Sequence, residues 1–469
     1  MPYPFFPHPR TALAILLLAS LRFAMPVHAA DPLPPMDDRI VVLLSIDGLA
    51  AYYIDDPKSD IPNLRALIAD GARAASMKAS TPTVTWVNHA TLVTGVNPEK
   101  HGVVGNNYYD RATNKRITLI SDPVYDKDQI VKVPTVYDLA KAAGLRTAGI
   151  RWPATRNAKT LDWCIPDVAT DAILHKYTTP ELFKEATADH IWADGEAQDR
   201  TSDTRIVSDK MCTDVFNMVV HKHRPQLALL HLINVDHIEH LDGPRTPEAY
   251  AAVKAADAQV GLVWQELEKD FPGKATLVVV SDHGFSPNEH RINPSDILEK
   301  AGLLEVKNLH VVGGKVRAVV QGGSVLLYIL DDANHAAIAQ QVTDAFTPVD
   351  GISKIVPTDH LNDYGVATPQ QDPHAPDMIL FAKEGYYFGD TSNGAIPEKV
   401  KPEHKGSHGH EAEIPDLHAV FMARGVGIKP GARLPEISNL DVAPTVAALL
   451  NVPMPNTDGK SLLDTINAP

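Results

Sequence analysis

Short, unbroken apolar runs recur along the chain, and they are separated by segments with helical spacing. Runs of Val, Leu and Ile without polar alternation are typical of strands buried on both faces of a parallel sheet. The pattern predicts strands at 39–46, 145–150, 227–235, 275–280 and 420–423.

Apolar positions three and four residues apart predict the helices between these strands. They lie at 61–71, 85–94, 135–144, 203–221, 246–270 and 441–450. Strands that alternate with helices are typical of α/β proteins. We therefore expect a doubly wound, mostly parallel sheet flanked by helices.

The pattern changes after residue 286. Two apolar runs at 311–320 and 324–330, joined through Gly322-Gly323, are typical of antiparallel strands. We expect a smaller α+β subdomain at 288–405, inserted into a core formed by 30–287 and 406–469.

The N-terminus has the pattern of a secretion signal. Arg10 precedes an apolar stretch that is short for a membrane span, and Val27-His28-Ala29 offers a small-x-small cleavage site before Ala30. The sequence predicts a signal peptide at 1–29 and a periplasmic or secreted mature chain with no membrane span. An uncleaved membrane anchor is the alternative.

Net charge and cysteine content limit the classes of function and the cellular compartment that fit the chain. The 469 residues carry a formal net charge of −15 without a basic stripe, which argues against nucleic-acid binding. Cys164 and Cys212 are compatible with one disulfide in an exported protein, although their spacing does not decide the matter. Composition leaves the oligomeric state open.

Acidic and imidazole side chains follow the apolar runs. The carboxyl ends of parallel strands meet at one edge of a sheet, where α/β proteins bind ligands. Asp and His are suitable ligands for Zn²⁺ and for other divalent ions. The candidate metal ligands are Asp47, Asp236, His240, Asp282, His283 and His408.

Thr85 and Asn88 stand at the start of the helix predicted at 85–94. A threonine there is commonly an N-cap, but a nearby zinc ion would also lower the pKa of its hydroxyl and make it a nucleophile. The helix N-terminus would face a phosphoryl oxygen with backbone N–H groups. Asn88 would donate its amide to the same oxygen.

These segments resemble the alkaline phosphatase superfamily and, more narrowly, the nucleotide pyrophosphatase/phosphodiesterase (type I phosphodiesterase) family. The resemblance runs from about Arg39 to Leu450. Val87 stands where the family usually has proline. The motif that carries the resemblance is Thr85-Trp86-Val87-Asn88-His89, followed by LVTG and by Pro98, His101 and Gly102.

The resemblance implies a centre with two Zn²⁺ ions per subunit. One ion would be held by Asp236, His240 and His408, and the other by Asp47, Asp282, His283 and the Thr85 oxygen. The implied activity is hydrolysis of phosphodiester or pyrophosphate bonds in a small substrate, such as a nucleotide, by double displacement through a phospho-threonine. The resemblance leaves His89 to pack beneath the loop.

The substrate pocket is the less determined part of the prediction. Nucleotide-cleaving members have an aromatic residue five positions before Asp236 that stacks on the base, and this chain has His231 there. The candidates to line the pocket are Trp86, His231, Tyr109 and Trp152.

Two alternatives remain open at this point. A phosphomonoesterase of the same superfamily would add a cationic clamp, for which Arg151 and Arg156 are candidates. An exported metal-binding protein without catalysis is the lesser alternative.

Overall fold

The computed structural model describes residues 1–4, 33, 35–121, 125–192, 202–308, 310–389, 398–399 and 405–467. Beyond its first four residues, the predicted signal peptide lies outside the described part of the chain. The strands are β1 (Ile40–Ile46), β2 (Ala72–Ala74), β3 (Met77–Lys78), β4 (Asn107–Asp110), β5 (Lys115–Thr118), β6 (Thr147–Trp152), β7 (Trp163–Pro166), β8 (Leu227–Leu232), β9 (Ala275–Val280), β10 (Ser286–Ile292), β11 (Leu304–Lys307), β12 (His310–Gly314), β13 (Val316–Val320), β14 (Ser324–Ile329), β15 (Ile352–Val356), β16 (Met378–Ala382), β17 (Gly385–Phe388), β18 (Glu398–Lys399), β19 (Gly406–Ser407), β20 (Phe421–Gly425), β21 (Ala432–Leu434) and β22 (Ile437–Ser438).

The α-helices begin and end close to the predicted positions where the sequence carried a periodic pattern. They are α1 (Tyr52–Asp55), α2 (Pro62–Ala69), α3 (Thr85–Thr94), α4 (Pro98–His101), α5 (Lys127–Ile130), α6 (Val136–Ala142), α7 (Asp171–Tyr177), α8 (Pro180–Ala188), α9 (Ser202–His223), α10 (Asn234–Asp242), α11 (Pro247–Asp270), α12 (Pro294–Lys300), α13 (His335–Phe346), α14 (Val442–Leu449) and α15 (Leu463–Ile466).

An eight-stranded sheet forms the centre of the molecule, in the order β21-β2-β20-β9-β1-β8-β6-β7. The five strands β9, β1, β8, β6 and β7 run parallel to one another, and β20 pairs antiparallel with β9. Alternate residues of β1 enter two separate apolar cores: Val42 and Leu44 pack on the side of α9 and α11, Val41 and Leu43 on the side of α14. The predicted α/β class with a mostly parallel sheet flanked by helices is confirmed.

The strand predicted at 227–235 is shorter in the structure. β8 ends at Leu232 and α10 begins at Asn234. The Asp209 carboxylate accepts the backbone N–H groups of Ile233 at 2.9 Å and Asn234 at 3.1 Å. These bonds satisfy donors that a new helix leaves without intrahelical partners, so the apolar run turns into a helix two residues before Asp236.

A second, antiparallel sheet, β13-β14-β16-β15, is formed within the stretch that the sequence assigns to the insertion. Phe381 and Tyr328 of this sheet share an apolar cluster with Val84 and Trp86 at the start of α3. The chain returns through β19, which pairs with β10. The boundaries of core and insertion stay a prediction.

Two further expectations concern the cysteines and the membrane. Cys164 and Cys212 are both buried as free thiols. Within the described ranges, no helix has the length and apolar character needed to cross a membrane.

Candidate functional site

The carboxyl ends of three neighbouring parallel strands bring the predicted ligands together. Asp47 directly follows β1, and Asp282 and His283 follow β9. Asp236 lies in the first turn of α10, which begins beyond the end of β8. All of these except Asp236 are buried, at 5% exposure or less.

Asp236, His240 and His408 form the first ligand group. The i, i+4 spacing on α10 places His240 Nε2 at 3.3 Å from Asp236 Oδ1. His408 comes from the segment after β19, and its Nε2 lies 3.5 Å from the same oxygen. The predicted set for one ion therefore converges on a single point.

Asp47, Asp236 and His283 form a second group that shares Asp236 with the first. His283 Nε2 lies 3.4 Å from Asp47 Oδ1 and 3.1 Å from Asp282 Oδ2. Three members of the predicted set for the other ion, Asp47, Asp282 and His283, thus lie together as well. The sequence assigned Asp236 to one ion, whereas the structure places it between both groups.

Backbone carbonyls orient the three histidine rings. Nδ1 of His240 lies 3.2 Å from the Gly406 oxygen, Nδ1 of His283 3.1 Å from the Gly284 oxygen, and Nδ1 of His408 2.9 Å from the Thr83 oxygen. A proton on each Nδ1 leaves the Nε2 lone pair pointing to the carboxylates. Histidine ligands of metals are commonly oriented in this way.

Several polar atoms at the centre of the cluster are buried without a hydrogen-bond partner: Asp47 Oδ1, Asp236 Oδ1, Asp282 Oδ2 and His283 Nε2. Buried polar atoms are nearly always paired, because leaving one unpaired costs about 1–3 kcal/mol. A divalent cation would satisfy all four atoms at once. The donor set of carboxylate oxygens and imidazole nitrogens fits Zn²⁺, and it also accepts other divalent ions.

The ionisation states of the cluster also fit a bound divalent cation. Burial raises the pKa of Asp47 well above its ordinary value, and the charge of Asp236 adds to this effect. Burial and then the charge of Asp47 raise the pKa of Asp282. Burial lowers the pKa of His408 to about 4, so that its ring is neutral at pH 7. A bound cation would offset the repulsion between the carboxylates and would accept the lone pairs of the neutral imidazoles.

Thr85 lies beside this cluster at the first position of α3. The N-cap is Val84, so the interpretation of Thr85 as the N-cap is wrong. The partly buried Thr85 lines a cavity of about 270 Å³ together with Asp47, Asp236 and Trp86. The Thr85 hydroxyl therefore lies between a helix N-terminus, which attracts anions, and the candidate metal ligands.

Asn88 does not fit the role that the sequence predicted for it. Its amide nitrogen donates to the carbonyl oxygens of Pro82 at 3.1 Å and Val84 at 2.9 Å. Its oxygen accepts from the Ser80 backbone N–H and from the Asn439 amide. Both amide hydrogens are therefore used inside the protein, and Asn88 is fully buried.

Two other asparagines line the cavity instead: Asn107 and, linked to the first turn of α3, Asn106. Its side-chain oxygen accepts the Trp86 backbone N–H at 2.9 Å, which links it to the first turn of α3. Its backbone N–H donates to the Gln321 side chain at 3.0 Å. Sequence analysis missed Asn106 because it lies in a loop before β4, where no apolar run or motif marks it.

Of the four predicted pocket residues, Trp86 lines the cavity. His231 does not, because it is buried between the Arg151 carbonyl oxygen, 3.0 Å from Nδ1, and Asp47 Oδ2, 3.2 Å from Nε2. The predicted stacking role of His231 is therefore replaced by that of a group that orients Asp47. This corrects the expectation for the position five residues before Asp236.

Tyr109 and Trp152 are core residues. Tyr109 packs at 5.7 Å from the Tyr328 ring, within the cluster that joins the second sheet to α3. Trp152 is fully buried, with its ring 4.9 Å from that of His89. Neither residue lines the cavity beside Thr85.

His89 and the two candidate arginines are also located. His89 Nδ1 lies 2.9 Å from the Thr85 carbonyl oxygen, beneath the start of α3. Arg151 lines the cavity, whereas Arg156 packs over the Tyr177 ring at 4.7 Å, with its Nε 3.2 Å from Asp126, and does not line it. A wider groove of about 780 Å³ contains none of the predicted site residues.

The strand order and the shared ligand groups at the sheet edge define an α/β protein with an alkaline phosphatase-like fold. The chain belongs to the type I phosphodiesterase / nucleotide pyrophosphatase family, whose model matches residues 41–411.

Relatives and solved structures agree with this assignment. The chain is 24% identical to human ectonucleotide pyrophosphatase/phosphodiesterase family member 1, over 88% of this chain and 40% of that protein. It is 22% identical to a venom phosphodiesterase of Naja atra, over 90% of this chain and 45% of that protein. It is also 22% identical to an uncharacterised pyrophosphatase/phosphodiesterase of Schizosaccharomyces pombe, over 89% and 78%. The chain thus spans less than half the length of the human and Naja atra relatives.

Solved structures with the same fold include human ectonucleotide pyrophosphatase/phosphodiesterase 5, with a TM-score of 0.68, 18% identity, and coverage of 92% of this chain and 100% of that one. An inactive threonine-to-alanine variant of the murine protein, in complex with AMP, matches with a TM-score of 0.66 and 17% identity. The match covers 91% of this chain and 100% of that one. These likenesses establish the fold.

Proposed function

We propose that this chain is an exported, metal-dependent hydrolase of phosphodiester or pyrophosphate bonds. The observation that carries the proposal is the position of Thr85 at a helix N-terminus, on a cavity that also contains Asp47 and Asp236. Family membership supports the reaction class. The signal-like N-terminus and relatives named as venom phosphodiesterases support export.

Two divalent ions, with Zn²⁺ the best match to the donors, would supply charge neutralisation and lower the pKa of bound hydroxyl groups. Asp236, His240 and His408 would hold one ion, and Asp47, Asp282 and His283 the other. His231 positions Asp47 from behind, through its contact with Asp47 Oδ2.

The chain's own residues account for a double displacement. The Thr85 oxygen forms a bond to phosphorus and loses its proton to solvent, the bond from phosphorus to the leaving oxygen breaks, and the leaving oxygen takes up a proton from solvent. Water then cleaves the resulting phospho-threonine and restores the hydroxyl. Backbone N–H groups at the start of α3, apart from the Trp86 N–H that donates to Asn106, would stabilise the phosphoryl oxygens together with the Asn106 amide nitrogen. Trp86 would contact the organic part of the substrate, for which a nucleotide is one candidate.

A phosphomonoesterase is the second candidate function, because Arg151 brings one cation into the cavity. A dianionic phosphate needs a strong cationic clamp. Here the Arg151 guanidinium faces the Asp167 carboxylate at 3.4 Å, and Arg156 is directed elsewhere. One arginine, whose charge is balanced by Asp167, is less than a dianionic phosphate needs, and this favours the diesterase.

The test compares purified, zinc-loaded protein on an aryl phosphodiester, the matching aryl monoester and a nucleoside triphosphate. We expect the diester or the triphosphate to be preferred. A monoester preference of about tenfold or more, equivalent to ~1.4 kcal/mol, would refute the proposal.

Replacement of the nucleophile gives a second test. Thr85→Ala should abolish turnover while zinc content stays near that of the wild type. Thr94→Ala is the matched control, because Thr94 lies on the same helix and its hydroxyl donates to the Ala90 carbonyl. Activity retained in Thr85→Ala would remove Thr85 from the mechanism.

A further inference from the structure

Arg151 adopts a backbone conformation that is unusual for arginine. Its φ is 60°, and it lies where the pairing of β6 with β7 shifts between Ile150 and Trp152. A left-handed, non-glycine residue in a buried strand persists when the surrounding structure holds it in place, and such residues are often found at functional sites. Two results of this geometry are visible: the Arg151 carbonyl accepts from His231, and its side chain lines the cavity beside Thr85.

The cavity has two chemically different parts. Thr85, Asp47 and Asp236 lie at the candidate reaction centre, and Arg151 with Asp167 forms a second polar part. Among the described residues that line the cavity, Arg151 carries the sole positive charge. The apolar wall between these parts is contributed by Trp86, Ile120 and Ile233.

The pair of Arg151 and Asp167 is almost completely buried, at 4% and 5% exposure. Its 3.4 Å separation is longer than the roughly 2.7–2.9 Å of a strong charge-assisted hydrogen bond. A guanidinium has a rigid fork of donors that matches the oxygens of phosphate or carboxylate. Because Arg151 and Asp167 both line the cavity, an anion that enters it meets the Arg151 guanidinium and competes with the Asp167 carboxylate for it.

We infer that Arg151 binds a second anionic group, carried by the arm of the substrate that occupies this cavity. The preferred substrates are phosphodiesters or pyrophosphates in which that arm bears a phosphate or a carboxylate. This inference rests on the proposed function. A neutral arm would contact the apolar wall alone and leave the ion pair unchanged.

A matched substrate series tests the inference. Each substrate is a 4-nitrophenyl phosphodiester whose second arm is phenyl, 4-carboxyphenyl or 4-(phosphonomethyl)phenyl, so that 4-nitrophenol leaves in every case. We expect the wild type to prefer a charged arm by about 10- to 100-fold in kcat/KM, mainly through a lower KM, which is the effect of one hydrogen bond to a charged group. The better of the two charged arms identifies the anion.

Three variants separate recognition from structure. Arg151→Gln should bring the ratio of charged to phenyl substrates close to one, and Arg151→Lys should restore part of it. Asp167→Asn should increase the ratio, because it removes the anion that competes for the fork. Arg156→Gln is the control, and it should keep the wild-type ratio.

The outcomes are distinguishable. Equal rates on all three esters in the wild type, or an unchanged ratio in Arg151→Gln, overturn the inference while leaving the proposed hydrolase in place. A fall of the ratio in Asp167→Asn overturns it as well, and this variant decides the question where Arg151→Gln does not fold. Absence of turnover on every ester removes the proposed function and the inference with it.

Discussion

Asn88 and Asn106 are two amides whose roles can be separated by experiment. Asn88 makes four buried hydrogen bonds: two to carbonyl oxygens of the loop before α3, one from the Ser80 N–H and one from Asn439. At about 1 kcal/mol net for each bond, Asn88→Ala should lower the free energy of unfolding by ~4 kcal/mol. Such a loss is a large part of the ~5–15 kcal/mol that stabilises a typical protein.

Asn106→Ala should behave in the opposite way. It loses the bond from the Trp86 N–H, which costs about 1 kcal/mol, but it removes an amide at the phosphoryl group and should reduce kcat about 100-fold. Urea unfolding measures the first quantity, and steady-state kinetics on an aryl phosphodiester measures the second. A stable Asn88→Ala protein with a 100-fold (~2.7 kcal/mol) loss of kcat would refute the reasoning and restore the role predicted from the sequence.

Three further predictions concern acidity, backbone geometry and metal removal. Burial lowers the pKa of His101 to about 3, so His101 takes up a proton in the unfolded chain at a higher pH than in the folded protein. The free energy of unfolding should therefore fall as the pH falls from about 6.5 towards 3. The urea midpoints at pH 7 and pH 5 should differ less in His101→Gln than in the wild type. Gly409→Ala would place a Cβ at 1.8 Å from the Gln321 carbonyl oxygen. The clash should displace the neighbouring His408 and lower the affinity for zinc measurably. Gly144→Ala is the control, because Gly144 has a similar φ and open space around its Cβ, and it should leave the zinc affinity unchanged. Chelation of divalent ions should lower the unfolding temperature by several degrees, because buried carboxylates at the sheet edge would lose their counter-charge; an unchanged unfolding temperature in calorimetry would contradict the presence of bound ions.

The sequence predicted the parts of this protein that follow from apolar periodicity. The strands before Asp47 and Asp282 are mainly apolar and show no polar alternation, so the position of the two carboxylates at one sheet edge could be predicted from the chain alone. The i, i+4 spacing of Asp236 and His240 predicted their shared helix face in the same way. These are local patterns, and the fold preserves them.

Roles that depend on contacts between distant segments could not be predicted. Asn88 has the residue type of a phosphoryl donor, but its partners include Asn439, far along the chain. His231 occupies a position associated with stacking, yet the left-handed turn at Arg151 places a carbonyl oxygen against it. A single sequence carries no record of such pairings, because hydrogen bonds of loops follow from tertiary packing.

The return of the chain through β19 has a consequence for the order in which the protein assembles. His408 follows the second sheet in sequence, while Thr83, whose carbonyl oxygen orients its ring, precedes that sheet by hundreds of residues. During synthesis, all the other predicted ligands emerge long before His408. In the proposed metal centre, high-affinity binding would therefore require closure of this long loop, and a bound metal would report that both ends of the chain have folded.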